Sequence, residues 1–175
     1  MSASADLIPL GMAVLTISDT RDESTDSSGQ YLVAALGAAG HHLIDKQIVK
    51  DDVYQIRATV SAWIANPSIE AVLLTGGTGF SGRDSTPEAV AVLFDKVIEG
   101  FGEVFRSVSL QEIGSSTIQS RAIAGLANNT VIFCMPGSTG ACKTAWQSII
   151  CEQLDSRHRP CNFVGVLKTR KEGGL

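Results

Sequence analysis

Three short segments consist almost wholly of apolar residues: 12–17 (MAVLTI), 71–74 (AVLL) and 130–133 (TVIF). Segments this short and this apolar suit central strands of a parallel sheet, which are covered on both faces. Amphipathic helical patterns lie between them. Tyr31, Leu32, Ala35, Leu36 and Ala39 share one helical face, with Gly40 closing the helix. Val53, Ile56, Val60, Trp63 and Ile64 form a second stripe that Asn66-Pro67 ends. Residues 42–49 alternate polar with apolar, as a strand nearer an edge does. Further helical patterns cover 87–94, 102–113, 117–124 and 139–153. Strands alternating with helices predict right-handed crossovers and a mostly parallel sheet between helix layers. With 175 residues, 44% of them hydrophobic, the chain suffices for one well-buried domain and is short for two. A single domain over residues 1–175 is therefore expected.

Charge and composition exclude several function classes. A net charge of −4 argues against a general nucleic-acid binder, whose binding face tilts the balance basic. Lys168, Arg170 and Lys171 read as a solvated tail. No apolar run reaches the roughly 18 residues needed to span a bilayer. The first ten residues lack a basic segment followed by an apolar core, so no secretory signal is expected and the expected location is cytoplasmic. Cys134, Cys142, Cys151 and Cys161 are spaced too widely for a Cys-x-x-Cys knuckle and read as ordinary thiols, two of them within a strand or helix. His41, His42 and His158 show no spacing for a triad or metal site.

Chemistry concentrates where strands end. Residues 74–89 (LTGGTGFSGRDSTPEA) join an apolar strand to a helix through a glycine-rich turn. Glycines let a backbone approach a ligand closely and present its N–H groups to anions. Thr86 reads as the N-cap of the next helix and Pro87 as its first residue. A phosphate-bearing ligand there meets oriented N–H groups, a helix N-terminus and Asp84, which can hold a magnesium ion. Ligands of open parallel sheets bind beyond the carboxyl ends of the strands. The first strand runs into Ser18-Asp19-Thr20 and the polar loop Asp26-Ser27-Ser28-Gly29. The last runs into Met135-Pro136-Gly137-Ser138-Thr139-Gly140, with Ser138 as a cap and Lys143 one turn in. Asp51 follows the second strand, where its position alone reads as a helix N-cap. Arg83 reads as a surface partner for its neighbour Asp84.

Familiar phosphate motifs do not account for the turn. Residues 77–82 match G-x-G-x-x-G, but the strand is not the first and the helix waits until Thr86-Pro87. No Gly-Lys-Ser/Thr follows, so a Walker A loop fails. Pro136-Gly137-Ser138-Thr139-Gly140 misplaces the serine of a nucleophile elbow by one residue.

Taken together, these segments resemble the MoaB/MogA-type molybdenum cofactor biosynthesis proteins, a family that also includes the gephyrin G domain. The resemblance runs from about residue 7 to 167, the expected core. It rests on Ile17-Ser18-Asp19, Thr75-Gly76-Gly77-Thr78-Gly79, Arg83-Asp84-Ser85-Thr86-Pro87-Glu88 and Met135-Pro136-Gly137-Ser138. Residues 100–106 (GFGEVFR) and 159–163 (RPCNF) look like the bacterial MoaB branch. Members of that branch differ in keeping the Arg-Asp-x-Thr-Pro-Glu segment; this chain keeps it, and has an aspartate at position 51.

The resemblance implies a three-layer α/β/α sandwich and a homo-oligomer, a trimer or a hexamer of two trimers, with room for contacts to other molybdenum cofactor enzymes. It implies that molybdopterin is the substrate and ATP the co-substrate of an adenylyltransferase that releases diphosphate. Asp51 and Asp84 match the catalytic aspartates and would hold Mg²⁺. Thr75, Gly76, Gly77, Thr78, Gly79, Pro136, Gly137 and Ser138 would cradle phosphates, with Ser18, Asp19 and Ser28 on the same rim. The alternative is a non-catalytic molybdopterin-binding or carrier protein with the same pocket. Apolar surface over 102–113 and 117–124 is the expected subunit interface.

Overall fold

The computed structural model describes residues 6–168; residues 1–5, part of the stretch read for a secretory signal, and Arg170 and Lys171 lie outside the described residues. Six strands form one sheet in the order β2-β1-β3-β6-β5-β4. β1 (Gly11–Ile17), β2 (His42–Val49), β3 (Ala71–Thr75) and β6 (Thr130–Met135) run parallel, joined by helical crossovers. β5 (Ile123–Ala127) and β4 (Lys96–Val97) extend the sheet antiparallel beside β6.

Strand alternation sorts the core into two layers. Met12 and Val14 of β1, Leu73 of β3 and Phe133 of β6 face one way. There they pack on α1 (Ser27–Ala38), α4 (Glu99–Ile113) and α5 (Thr139–Ala145) through Leu32, Phe101, Phe105 and Cys142. α5 runs on through a π-helical turn (Trp146–Ile150) into Cys151–Gln153. Ala13, Leu15, Leu74 and Ile132 face the other way, against Ile56, Val60 and Trp63 of α2 (Val53–Ala65) and Ala89 and Val90 of α3 (Thr86–Ala91). The result is the α/β/α sandwich with a mostly parallel sheet that the sequence predicts. β2 lies at an edge and is largely exposed, as its alternating pattern implies. No helix of the described residues is long and apolar enough to cross a membrane.

Three expectations need correction. The helical pattern at 117–124 is not an α-helix: Gly114–Gln119 forms a 3₁₀ helix and Ile123 opens β5. β5 turns into β6 through Asn128 and Asn129, both at positive φ (48° and 57°). Two such residues make the tight turn that matches the twist of a hairpin, and Asn tolerates it. The helix at 87–94 stops at Ala91, because Phe94 must leave the helical path to cover Gly125. Lys168 is not a solvated side chain; its Nζ donates to the carbonyls of Ile64 (2.9 Å) and Asn66 (2.6 Å) at the end of α2. A cation there complements the negative end of the helix dipole. Burial lowers its pKa from the usual value.

The antiparallel extension hinges on the contact between Phe94 and Gly125, where a Cβ would lie 2.3 Å from the ring. Gly125→Ala should therefore cost about 1–3 kcal/mol of stability through overpacking. The urea unfolding midpoint checks this; an unchanged midpoint would show that the ring yields freely.

Candidate active site at the carboxyl rim of the sheet

The three central strands end level. Thr16 pairs with Thr75, and Thr75 with Met135, so the loops that follow β1, β3 and β6 leave the sheet side by side. Between them and the overhanging α4 lies a cleft of about 650 Å³.

The glycine turn is held too tightly for any other residue. Gly76 (φ +108°) sits where a Cβ would be 2.2 Å from the Ile17 carbonyl oxygen. At Gly77 (φ +64°) a Cβ would fall 2.3 Å from Thr86 Oγ1 and 2.6 Å from Asp51 Oδ2. Thr86 closes the turn, its hydroxyl donating to Gly76 O (2.8 Å) and its N–H to Gly77 O (3.0 Å). It is thus inside α3, whose N-cap position is Ser85. Gly76 N–H is donated to Met135 O (3.1 Å), so it is not available to a ligand. The N–H groups of Gly77 and Thr78 have no acceptor among the described residues. They are the donors the turn offers to an anion.

Asp84 faces the cleft beside Gly79. Its Oδ2 accepts the Ser81 N–H (2.8 Å). Hydrogen bonding from Ser81 lowers its pKa against a smaller opposing effect of burial, with Gly79 N–H and the Arg121 charge also favouring the carboxylate. Asp51 is not the cap of α2. Asp52 takes that role, accepting from Tyr54 N (3.0 Å) and Gln55 N (2.9 Å). Asp51 is thereby released toward the turn, where Oδ1 accepts from Ser85 Oγ (2.5 Å) and Ser85 N (3.2 Å). It stands behind Gly77 rather than on the cleft lining. Asp19 also stays off the lining. It pairs with Arg83 at 2.9 Å and accepts Asp51 N–H at 3.4 Å, so Arg83 serves Asp19 and not its neighbour Asp84.

Ser18, Thr75, Thr78, Pro136, Gly137 and Ser138 do line the cleft. Ser138 caps α5, its Oγ accepting Ala141 N–H (3.1 Å). Ser28 is buried and structural: it donates to Gly137 O (3.1 Å) and accepts from Arg21, whose guanidinium reaches the cleft. Below them lies Asp26, 0% exposed, capping α1 through Gly29 N–H (2.9 Å). Thr16 Oγ1 (2.9 Å) and Lys46 Nζ (3.0 Å) complete its shell. Cys142 is a buried thiol under the rim, 3.1 Å from Thr75 Oγ1, its pKa pushed up to about 11 by burial.

Arg121 and the cleft-facing side of α4 went unnoticed in the sequence. Arg121 lies just before β5 and clamps the glycine turn from outside. Its N–H donates to Thr78 O (3.2 Å), Nε to Gly79 O (2.8 Å) and Nη2 to Asp84 O (3.0 Å), while Nη1 pairs with Glu88. Its partners are 33 to 43 positions away, so no local pattern reveals the role. On α4, Phe105, Ser109 and Glu112 recur at helical spacing and line the cleft, leaving Val104 and Leu110 exposed on the remaining surface. Spacing of i, i+4 and i+7 is the signal that could have found them.

A mostly parallel sheet with a glycine turn and unspent N–H groups at its carboxyl rim defines an α/β domain with a donor set of the kind that anions bind. The chain belongs to the family described as a probable molybdopterin binding domain, whose profile matches residues 13–156. It is 58% identical over 165 residues to molybdenum cofactor biosynthesis protein B of Escherichia coli K12, covering 94% of this chain and 97% of that one. It is 46% identical over 142 residues to the protein of the same name from Bacillus subtilis, covering 81% and 84%. Among solved structures, a molybdenum cofactor biosynthesis protein B superposes with a TM-score of 0.82 at 47% identity, covering 84% of this chain and 92% of the other. The tungsten cofactor synthesizing protein MoaB from Pyrococcus furiosus gives 0.73 at 34% identity, covering 81% and 90%.

Removing the clamp tests this geometry. In Arg121→Ala, amide exchange over residues 79–84 should quicken about tenfold, with β3 and β6 still protected. The Asp84 carboxyl should titrate slightly higher once the cation is gone, with the hydrogen bonds from Ser81 and Gly79 still holding it below its ordinary value. Unchanged exchange in that loop would refute the clamp.

Proposed function

We propose that the chain acts in molybdenum cofactor biosynthesis, binding molybdopterin in the rim cleft and adenylylating it with MgATP. The observation that carries this reading is the meeting of free Gly77 and Thr78 N–H groups with the Asp84 carboxylate in one cleft. In the reaction, an oxygen of the molybdopterin phosphate attacks the α-phosphorus of ATP. The bond to the β-phosphate bridging oxygen breaks, and diphosphate leaves with that electron pair. The attacking phosphate is already anionic, so no general base is needed. What the protein contributes is position and charge.

The carboxylates suit a magnesium ion. Asp51 Oδ2 has no hydrogen-bond partner among the described residues, and Asp84 opens on the cleft. Among the described residues, no group of three or more acidic, His or Cys residues surrounds them. Mg²⁺ commonly takes one or two carboxylates and leaves its other positions to water and substrate phosphates. Asp84 on the cleft, with Asp51 behind Gly77, would hold it, and it would supply charge neutralisation on the nucleotide phosphates. Gly77 and Thr78 N–H groups hold phosphate oxygens, Arg21 adds a cation on the same rim, and Ser18 and Ser138 line it.

One observation favours the carrier reading instead: Asp51 gives one oxygen to Ser85 and is off the cleft lining. Incubation with MgATP and molybdopterin separates the two, since only the enzyme forms adenylylated product. Asp84→Asn should abolish transfer while leaving the fold intact, a loss of several kcal/mol of transition-state stabilisation. Turnover within about threefold of the parent would remove Asp84 from the mechanism.

ATP should also need the metal more than molybdopterin does, because its phosphates otherwise meet the carboxylates directly. Calorimetry with EDTA should weaken ATP by at least about tenfold, roughly 1.4 kcal/mol, and molybdopterin little. Equal ATP affinity with and without EDTA would contradict metal-bridged binding.

Assembly is part of the proposal. Leu110, Ile113 and Ile118 are 49%, 55% and 73% exposed around the end of α4, an apolar area suited to self-association as a trimer or hexamer. Sedimentation at micromolar concentration should give a multiple of the 18.4 kDa chain. A stable monomer would contradict it.

A further inference from the structure

The cleft has two walls of opposite electrical character. One is the glycine turn, with the unspent N–H groups of Gly77 and Thr78, and the nearby Arg21 guanidinium. The other is the C-terminal half of α4. There the helix ends at Ile113 with no basic residue in its last turn, so the negative end of its dipole is uncompensated. Glu112 adds a full negative charge to that wall. Such a wall repels phosphate and attracts N–H donors.

Glu112 is exposed and tethered at one oxygen. Its Oε2 accepts the hydroxyl proton of Thr144, 2.7 Å away on α5, and Thr144 itself is only 5% exposed. Oε1 has no partner among the described residues. A carboxylate offers about four lone-pair directions, so a tethered one still accepts two parallel N–H bonds. Phe105, one helical stripe along, lies at the floor of the same wall with its ring packed into the core.

We infer that Glu112 is a specificity-determining residue that reads the 2-amino-4-oxopyrimidine edge of the pterin, while the ligand's phosphate goes to the glycine turn. The inference rests on the reading of molybdopterin as the cleft's ligand. The 2-amino group and the adjacent ring N–H point outward in parallel, a pair of donors matched to one carboxylate. Guanine carries the same edge, so the recognition chemistry is shared and the ligand must be distinguished by test. The 2,4-dioxo analogue, lumazine, replaces the amino donor with a carbonyl and sets an acceptor against the carboxylate. Losing that donor costs the complex a charge-assisted hydrogen bond and sets two acceptors against each other, which weakens the analogue.

The test is a fluorescence titration of the full chain with pterin, lumazine and guanosine monophosphate, alongside molybdopterin. The parent should hold pterin at least about tenfold tighter than lumazine, and Glu112→Gln should bring the two within about threefold. Thr144→Val removes the tether but keeps the carboxylate, so the preference for pterin over lumazine should survive. If Thr144→Val erases the preference as fully as Glu112→Gln does, Glu112 only ties α4 to α5 and the inference fails. Equal pterin and lumazine binding in a parent that still binds molybdopterin would also overturn it, and leave the proposed function standing. Tighter guanosine monophosphate than molybdopterin would overturn the ligand assignment. Absence of molybdopterin binding in the parent would overturn the proposed function and this inference with it.

Discussion

Everything at the rim depends on the lateral register of β1, β3 and β6. Thr16, Thr75 and Met135 stand abreast, so each strand releases its loop at the same height. The register is secured because both faces of these strands are buried: a slip by one residue would exchange the side chains facing α1, α4 and α5 with those facing α2 and α3. Level strand ends bring Gly76 so close to the Ile17 carbonyl that no side chain fits between them. The turn's glycines are consequences of the sheet as much as provisions for a ligand.

Charge at the site is arranged by neighbours that never enter the cleft. Asp26 is wholly buried, yet it accepts from Thr16, Gly29 and Lys46 and lies 3.8 Å from Arg21. A buried carboxylate so fully bonded stays in place, and the guanidinium beside it is held over the cleft with it. Arg121 does the corresponding work on the other loop, gathering three carbonyl oxygens and Glu88 with one residue. Its planar, always-charged fork is suited to that, where a lysine would present a single point. The carboxylates are then separated by role. Asp84 stands next to unspent N–H groups, and Glu112 stands at the negative end of a helix.

The sequence carried the fold's outline because its central strands are apolar on both faces and its helices are amphipathic, patterns written in consecutive residues. It carried the glycine turn for the same reason, since Gly76 through Gly79 and Asp84 lie within one short stretch. The antiparallel pair β4 and β5 was hidden by short, weakly patterned strands, although Asn128-Asn129 marked their hairpin into β6. Asp51 and Asp52 could not be told apart as caps from order alone; the backbone gave the cap to Asp52 and turned Asp51 toward Ser85.

What the amino-acid order determined by itself is the succession of strands and helices, the tight turns that glycine permits, and a family likeness spread over distant segments. These depend on local sterics and on periodic burial, which act between near neighbours. Only the tertiary structure decided which polar groups remain unspent. It gave Gly76 N–H to Met135, Asp19 to Arg83, Ser28 to Gly137 and Glu112 to Thr144. Each of those bonds joins residues far apart in the chain. A donor's or acceptor's availability is settled by whoever packs against it, and packing partners are chosen by the whole fold.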